Sequence, residues 1–303
     1  MLDMPTADSA AKVWGSYTQA ELDAQYNQMS AMTEAERQEH HHFKTTHSTR
    51  VRAALAKDAV FDVAYGDSAA ERLDIFRPSG WRADSALPIE IYFHGGAWKA
   101  GKKEDVSFIA EPFVARGVMF IAIDYGHVPD ITLDEHVRQA RASVVWVHRN
   151  AASLGGDPNR IFISGHSSGG HVCAEVAVAD WPALFGLPAD LIKGAAAVSG
   201  MYDLAPVRLS WRNSYLSLDA PGAQRLSPIL RVPDRALPMV VGYGSRELDE
   251  FKRQGRDFAA AWRRVGHPCV EVELLGLNHF AVGHAFGNSQ GPLLKAVFNQ
   301  MNV

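Results

Sequence analysis

Cysteine is scarce in this 303-residue chain, with only Cys173 and Cys269 present. Two cysteines cannot make a disulfide framework, and Cys173 falls in a helix-like stretch where a free thiol behaves as a small hydrophobe. An excess of one charge is also lacking. Thirty Lys and Arg against thirty-four Asp and Glu leave a formal −4 with no basic stripe, so neither nucleic acid nor an anionic membrane surface is an expected partner. No apolar run approaches the roughly 20 residues needed to span a bilayer. Residues 1–8 have neither the positive start nor the apolar core of a signal peptide, and a cytoplasmic location is the default expectation. Internal repeats are absent. His40-His41-His42, with His47 nearby, has no carboxylate or cysteine at ligand spacing, and three consecutive histidines cannot share one helix face, so no metal or other cofactor is expected.

The chain does have a large apolar content, 47%, enough to fill a core with helices on both faces of a sheet. It divides into a polar leader, residues 1–56, and a catalytic body, residues 57–303. Within the body, 59–65 and 72–76 alternate like paired antiparallel strands. More continuous apolar runs at 89–93, 118–123, 161–164, 195–198 and 239–241 mark buried strands, spaced by helix-length segments as βαβ units require. Thr132-Leu133-Asp134-Glu135 reads as a capping box opening a long helix toward Asn150. The expectation is an α/β fold with a mostly parallel, doubly wound sheet. In the leader, residues 17–26 read as a helix with Thr18 and Glu21 as a second capping box. Active sites of open α/β sheets lie at the carboxyl ends of the strands, so the leader is expected to fold over those ends as part of a lid.

The chemistry is concentrated in four turns. Gly165-His166-Ser167-Ser168-Gly169 follows an apolar strand and precedes a helix-like stretch, the layout of a nucleophile elbow that lifts the Ser167 hydroxyl above the sheet. His94-Gly95-Gly96-Ala97-Trp98 follows another strand. Its glycines let main-chain N–H groups of Gly95, Gly96 or Ala97 join that of Ser168 around a developing oxyanion. After the strand at 239–241, Glu247 is the preferred acid, with Asp249 and Glu250 read as first-turn residues of the next helix. After the alternating strand at 270–274, His279 is the preferred general base and His284 its rival. Trp98, Tyr202, Trp211 and Phe280 lie near these turns and are candidates to stack on an aromatic substrate.

Serine, acid and histidine occur in the order used by α/β-hydrolases, and the body resembles that superfamily throughout. Within it the chain is most similar to the kynurenine formamidase (arylformamidase) group, which borders the hormone-sensitive-lipase-like esterases. The resemblance is carried by His94-Gly95-Gly96-Ala97-Trp98, by Gly165-His166-Ser167-Ser168-Gly169-Gly170-His171, and by Ser199-Gly200-Met201-Tyr202-Asp203-Leu204. Glu247 with Glu250-Phe251-Lys252-Arg253-Gln254, Asn278-His279-Phe280, and Tyr17, Leu22, Asp23 and Tyr26 of the leader extend it. It departs at Gly126-His127-Val128-Pro129, where the group usually has an Arg-Leu-Ala-Pro-like loop near the acyl pocket, at Ser168 where alanine is common, and at Leu248. The resemblance implies a Ser167–His279–Glu247 triad cleaving a small aryl formamide or related aromatic amide, as in N-formylkynurenine, through an acyl-enzyme. It also implies a homodimer as the assembly to test. A short-chain carboxylesterase is the nearest alternative, and a noncatalytic ligand receptor of the same fold is the alternative from another class.

Overall fold

The computed structural model describes residues 11–303, so the stretch 1–8 that argues against a signal peptide lies outside the described residues. A small antiparallel pair, β1 (Lys12–Trp14) and β2 (Tyr17–Thr18), opens the described chain. The remaining strands are β3 (Ala59–Ala64), β4 (Arg72–Phe76), β5 (Leu87–Phe93), β6 (Met119–Ile123), β7 (Gly156–His166), β8 (Ile192–Val198), β9 (Met239–Gly244) and β10 (Cys269–Leu274). They form one eight-stranded sheet in the order β10-β9-β8-β7-β5-β6-β4-β3. From β10 to β6 every neighbouring pair is parallel, whereas β4 runs antiparallel to β6 and β3 antiparallel to β4. This is the mostly parallel sheet that the apolar runs predict, in the α/β-hydrolase architecture that the resemblance implies.

Strand burial explains those runs. Every residue of β6 is buried, because a parallel strand covered on both faces has no solvent side to mark with polar residues. Ile91, Ile121, Ile163 and Val172 belong to the core on one face, under the helices Leu133–Asn150, Ser168–Ala177 and Asp249–Arg264. Tyr92, Phe120, Phe162 and Phe298 belong to the core on the other face, with the helices Ala110–Val114 and Pro292–Met301. Register places the site. Phe93 pairs with Gly165, Val198 with Gly242 and Gly244 with Leu274, so the carboxyl ends of these strands finish side by side and their loops converge at one edge.

The caps differ in detail from expectation. Thr132 Oγ1 accepts from the Glu135 N–H at 3.2 Å, but the Glu135 carboxylate turns to Arg138 and Gln139, which leaves half a capping box. In the leader, the box at Thr18 and Glu21 is complete and opens the helix Gln19–Gln25, while Tyr17 and Thr18 are extended. A second complete box, Thr33 with Glu36, opens the 22-residue helix Glu34–Leu55. The leader is anchored through Leu22 and Tyr26, both fully buried. Tyr26 Oη donates to Glu250 Oε2 at 2.9 Å and accepts from Gln254 Nε2 at 3.0 Å. Among the described residues, no helix is long and apolar enough to cross a membrane.

Candidate active site

β7 ends at His166, and the chain turns at Ser167 with φ 60° and ψ −128° before entering the helix Ser168–Ala177. A positive φ at a residue with a Cβ costs about 1–3 kcal/mol and persists only where surrounding structure enforces it. Ser167 N–H donates to the Val198 carbonyl, and the Ser167 carbonyl accepts from Gly170 N–H, both at 2.9 Å. Glycine is required on either side. A Cβ on Gly165 would lie 2.1 Å from the Gly169 carbonyl oxygen, and one on Gly169 would lie 2.0 Å from that of Phe93.

His279 opens the helix His279–His284, whose N-cap Asn278 accepts from Ala281 N–H at 3.0 Å. Its Nε2 lies 2.8 Å from Ser167 Oγ and its Nδ1 2.8 Å from Glu247 Oε1. A carboxylate only accepts, so the proton sits on Nδ1 and leaves Nε2 free to accept from the serine hydroxyl. Phe251, 4.8 Å away between ring centres, fixes the plane of the imidazole. Glu247 is buried, whereas Asp249 is 73% exposed and paired with Lys252. His284 points elsewhere: its Nε2 is 2.7 Å from His40 Nδ1. The structure therefore brings Glu247 and His279 to Ser167, and neither rival.

The neighbouring turn is as constrained. Gly96 has φ 137°, and a Cβ there would sit 1.9 Å from the Ala100 carbonyl oxygen. Among the described residues, the N–H groups of Gly95, Gly96 and Ala97 bond to no backbone carbonyl, and Ser168 N–H lies in the first turn of its helix, where intrahelical acceptors are missing. Together they are free donors beside the serine. His94 braces the loop through its Nδ1, 2.9 Å from the Gly95 carbonyl, and its own carbonyl accepts from Tyr125 Oη at 2.5 Å. Asp124 lies 3.3 Å from His94 Nε2. Burial pushes its carboxyl up, but His94 and Lys103 outweigh that and hold it below its ordinary value.

A cavity of about 480 Å³ opens onto Ser167, His279, Gly95 and Gly96. Phe280 lines it, but the other three aromatic candidates do not, and that expectation is corrected. Trp98 is 1% exposed because its Nε1 donates to His171 Nδ1 at 3.1 Å within the core. Tyr202 is buried and stacked on Phe258 with ring centres 4.1 Å apart. Trp211 is an exposed ring beside Tyr215, away from the cavity lining. The loop Gly126-His127-Val128-Pro129 does not line the cavity either. It stands behind the Gly95 turn, with Val128 N–H donating to the Trp98 carbonyl at 2.9 Å and Gly126 held by Gln139 and His136.

The walls instead come from Tyr92, Phe108, Arg212 and His284, and from Gln28, Met29, His40 and Lys44 of the leader. Of the triple histidine, His41 and His42 are exposed and only His40 reaches the cavity. Burial, with Lys44 and neighbouring histidines adding to it, pushes His40 down to about 4 and His284 to about 3. His166 lies with Glu247 and His279 in a group whose ligand-type atoms fall within 4.8 Å of one another, but the latter two already bond to each other. Nothing local in the sequence marks Arg212 or Phe108 as cavity residues, whereas the Thr33–Glu36 box does mark the helix that carries His40.

Known proteins match this arrangement. The BD-FAE family model matches residues 73–184. A kynurenine formamidase of Danio rerio is 31% identical over 276 residues, covering 89% of this chain and 92% of its own length. A kynurenine formamidase of Salmo salar is 32% identical, covering 82% of this chain and 84% of its own. Among solved structures, a protein of Silicibacter sp. tm1040 superposes with a TM-score of 0.78 at 23% identity, covering 91% of this chain and 98% of its own, a likeness of fold.

Proposed function

The chain belongs to the kynurenine formamidase family of α/β-hydrolases, and on that premise we propose that it hydrolyses a small aryl formamide through a formyl-enzyme formed on Ser167. Ser167 Oγ attacks the formamide carbonyl while His279 Nε2 takes the hydroxyl proton and Glu247 stabilises the resulting imidazolium. Negative charge on the carbonyl oxygen is met by N–H groups of Gly95, Gly96 and Ser168, each such donor being worth roughly 3 kcal/mol in the transition state. As the C–N bond breaks, His279 returns the proton to the departing aryl amine. Water then attacks the formyl ester with His279 again as base, releasing formate and restoring Ser167. No cofactor is required for this cycle.

The observation that carries the proposal is the pair of 2.8 Å contacts linking Ser167, His279 and Glu247 beneath a cavity walled by rings. We further propose that the leader, residues 1–56, forms the cover of this cavity and residues 57–303 the catalytic unit, a reading supported by the leader residues Gln28, Met29, His40 and Lys44 that line it. The same machinery cleaves esters, and a short-chain carboxylesterase is the second reading. Steady-state hydrolysis of N-formyl-L-kynurenine beside p-nitrophenyl acetate, with the Ser167→Ala variant as blank, decides between them. Strong preference for the formamide is expected; fast ester cleavage with negligible formamide turnover overturns the substrate assignment and keeps the triad. Labelling of Ser167 by a fluorophosphonate is the expected result against a noncatalytic receptor.

A further inference from the structure

The charge of the cavity opposes that of the chain. The whole chain carries a formal −4, yet the charged side chains lining the cavity are Lys44, Lys102 and Arg212 against Asp105. Lys44 and Asp105 cancel in a 3.3 Å ion pair. Lys102 and Arg212 are left over, and the second is the more telling because it is only 4% exposed.

The Arg212 guanidinium makes three hydrogen bonds, all to neutral acceptors. Nε donates to the Tyr26 carbonyl at 3.0 Å, one terminal nitrogen to Tyr215 Oη at 3.1 Å, and the other to Gln28 Oε1 at 2.6 Å. Among the described residues, no carboxylate forms an ion pair with it within 4.0 Å. Several other enclosed cations are paired: Lys103 contacts Asp62, Glu104 and Asp124, and Arg141 and Arg231 share Glu175. Arg77, 8% exposed, also has no carboxylate partner among the described residues, but it lies over the Trp81 ring and does not line this cavity. A guanidinium has five N–H donors in a planar fork, so two remain after the three bonds. An enclosed charge without a counter-ion is costly. Its position on the cavity wall means that the missing negative charge can arrive with whatever enters.

We propose that Arg212, assisted by Lys102, is the counter-ion for a carboxylate on the substrate, so that the cavity selects formamides or esters bearing a carboxylate away from the bond that is cut. The inference rests on the hydrolytic reading of the Ser167 cavity. Planar, two-pronged donation is the arrangement that best fits a carboxylate. Gln28 and Tyr26 hold the guanidinium from the leader side, which makes the leader a support for specificity as well as a cover.

The test uses two matched pairs, each with and without a carboxylate: N-formyl-L-kynurenine against its decarboxylated analogue N-formylkynuramine, and 3-acetoxybenzoate against phenyl acetate. The quantity read is the ratio of kcat/KM for the carboxylate-bearing over the carboxylate-free member. In the wild type the ratio exceeds one and declines with added salt. In Arg212→Gln it falls about 10- to 100-fold, mainly through KM, the worth of hydrogen bonds to a charged group, and Arg212→Lys keeps part of it. An unchanged ratio in Arg212→Gln overturns the proposal, as does a wild-type ratio at or below one, a readout that needs no variant to fold. If the acetates discriminate and neither formamide turns over, the formamide reading fails and the carboxylate inference stands. If neither pair turns over, the hydrolytic reading fails and takes this inference with it.

Discussion

Ser167, Gly95, Glu247 and His279 follow the carboxyl ends of β7, β5, β9 and β10, and their places are set by backbone crossings that leave no room for a Cβ at Gly165, Gly169 or Gly96. Gln28, Met29, His40 and Lys44, which cover the same cavity, come from a leader whose described residues contribute no strand to the main sheet and are held by side chains such as Tyr26 and Leu22. The floor is thus determined by main-chain geometry and the cover by polar and ring contacts. A change on the floor should act on catalysis or on folding as a whole. A change in the cover should act on substrate choice, local stability or pH response.

Ser167→Ala tests the floor most severely. The expected loss in kcat is about 10⁴- to 10⁶-fold, because serine and histidine act as one unit, and the residual rate comes from oxyanion donors and binding. Circular dichroism should be unchanged; activity near wild type would remove the nucleophile assignment. Glu247→Gln should cost about 10³- to 10⁴-fold, since an amide can no longer select the tautomer that leaves Nε2 free. Asp249→Asn is the paired control. Its carboxylate is 73% exposed and bonded to Lys252, so comparable losses in the two variants would contradict the choice of acid.

How much of this the sequence discloses follows the same division. G-x-S-x-G, H-G-G-x-W and the histidine after the last strand are local patterns because the backbone requirement itself is local, and the buried strands read as apolar runs because both faces of the sheet are covered. The walls are not local. Arg212 reaches the cavity through contacts with Tyr26 and Gln28, 186 and 184 positions away, and Phe108 reaches it from the short 3-10 helix Lys103–Ile109. Trp98 and Tyr202 illustrate the converse. Proximity to a motif draws attention to a large ring, but each finds a partner in the core, His171 or Phe258, and is withdrawn from the cavity. The helix Glu34–Leu55 is polar over most of its length, with Ser48 and Val51 its buried residues, so only its capping box betrays it.

Gly169→Ala separates folding from chemistry on the floor. The new methyl would meet the Phe93 and His94 carbonyl oxygens at 2.0 and 2.6 Å, contacts that main chain cannot relieve by a rotamer change. A destabilisation of about 3 kcal/mol, read as a lower melting temperature together with lost activity, is expected. Tyr26→Phe makes the corresponding cut in the cover and should cost only about 1 kcal/mol, because Glu250 keeps Arg253 and Gln254 keeps the Asp203 carbonyl. A loss in kcat as large as that of Glu247→Gln would show that cover and floor are not separable.

The subtlest difference lies in the acid response. His40 and His284 face each other at 2.7 Å, with Lys44, His47 and Asp105 around them and His279 beyond. Burial holds His40 near 4 and His284 near 3 against an ordinary 6.5, so between those values the unfolded chain binds protons that the folded chain refuses. Stability contributed by this pair is therefore intact above about pH 6.5 and declines as the pH falls toward 4. Replacing both with glutamine removes the two titrations and should flatten the fall in melting temperature across that window, while leaving the order of stability above it set by packing alone. Wild type and double variant with parallel acid slopes would mean that the pair is solvated in solution, and that the cover does not close over the cavity as the bond from His40 to His284 requires.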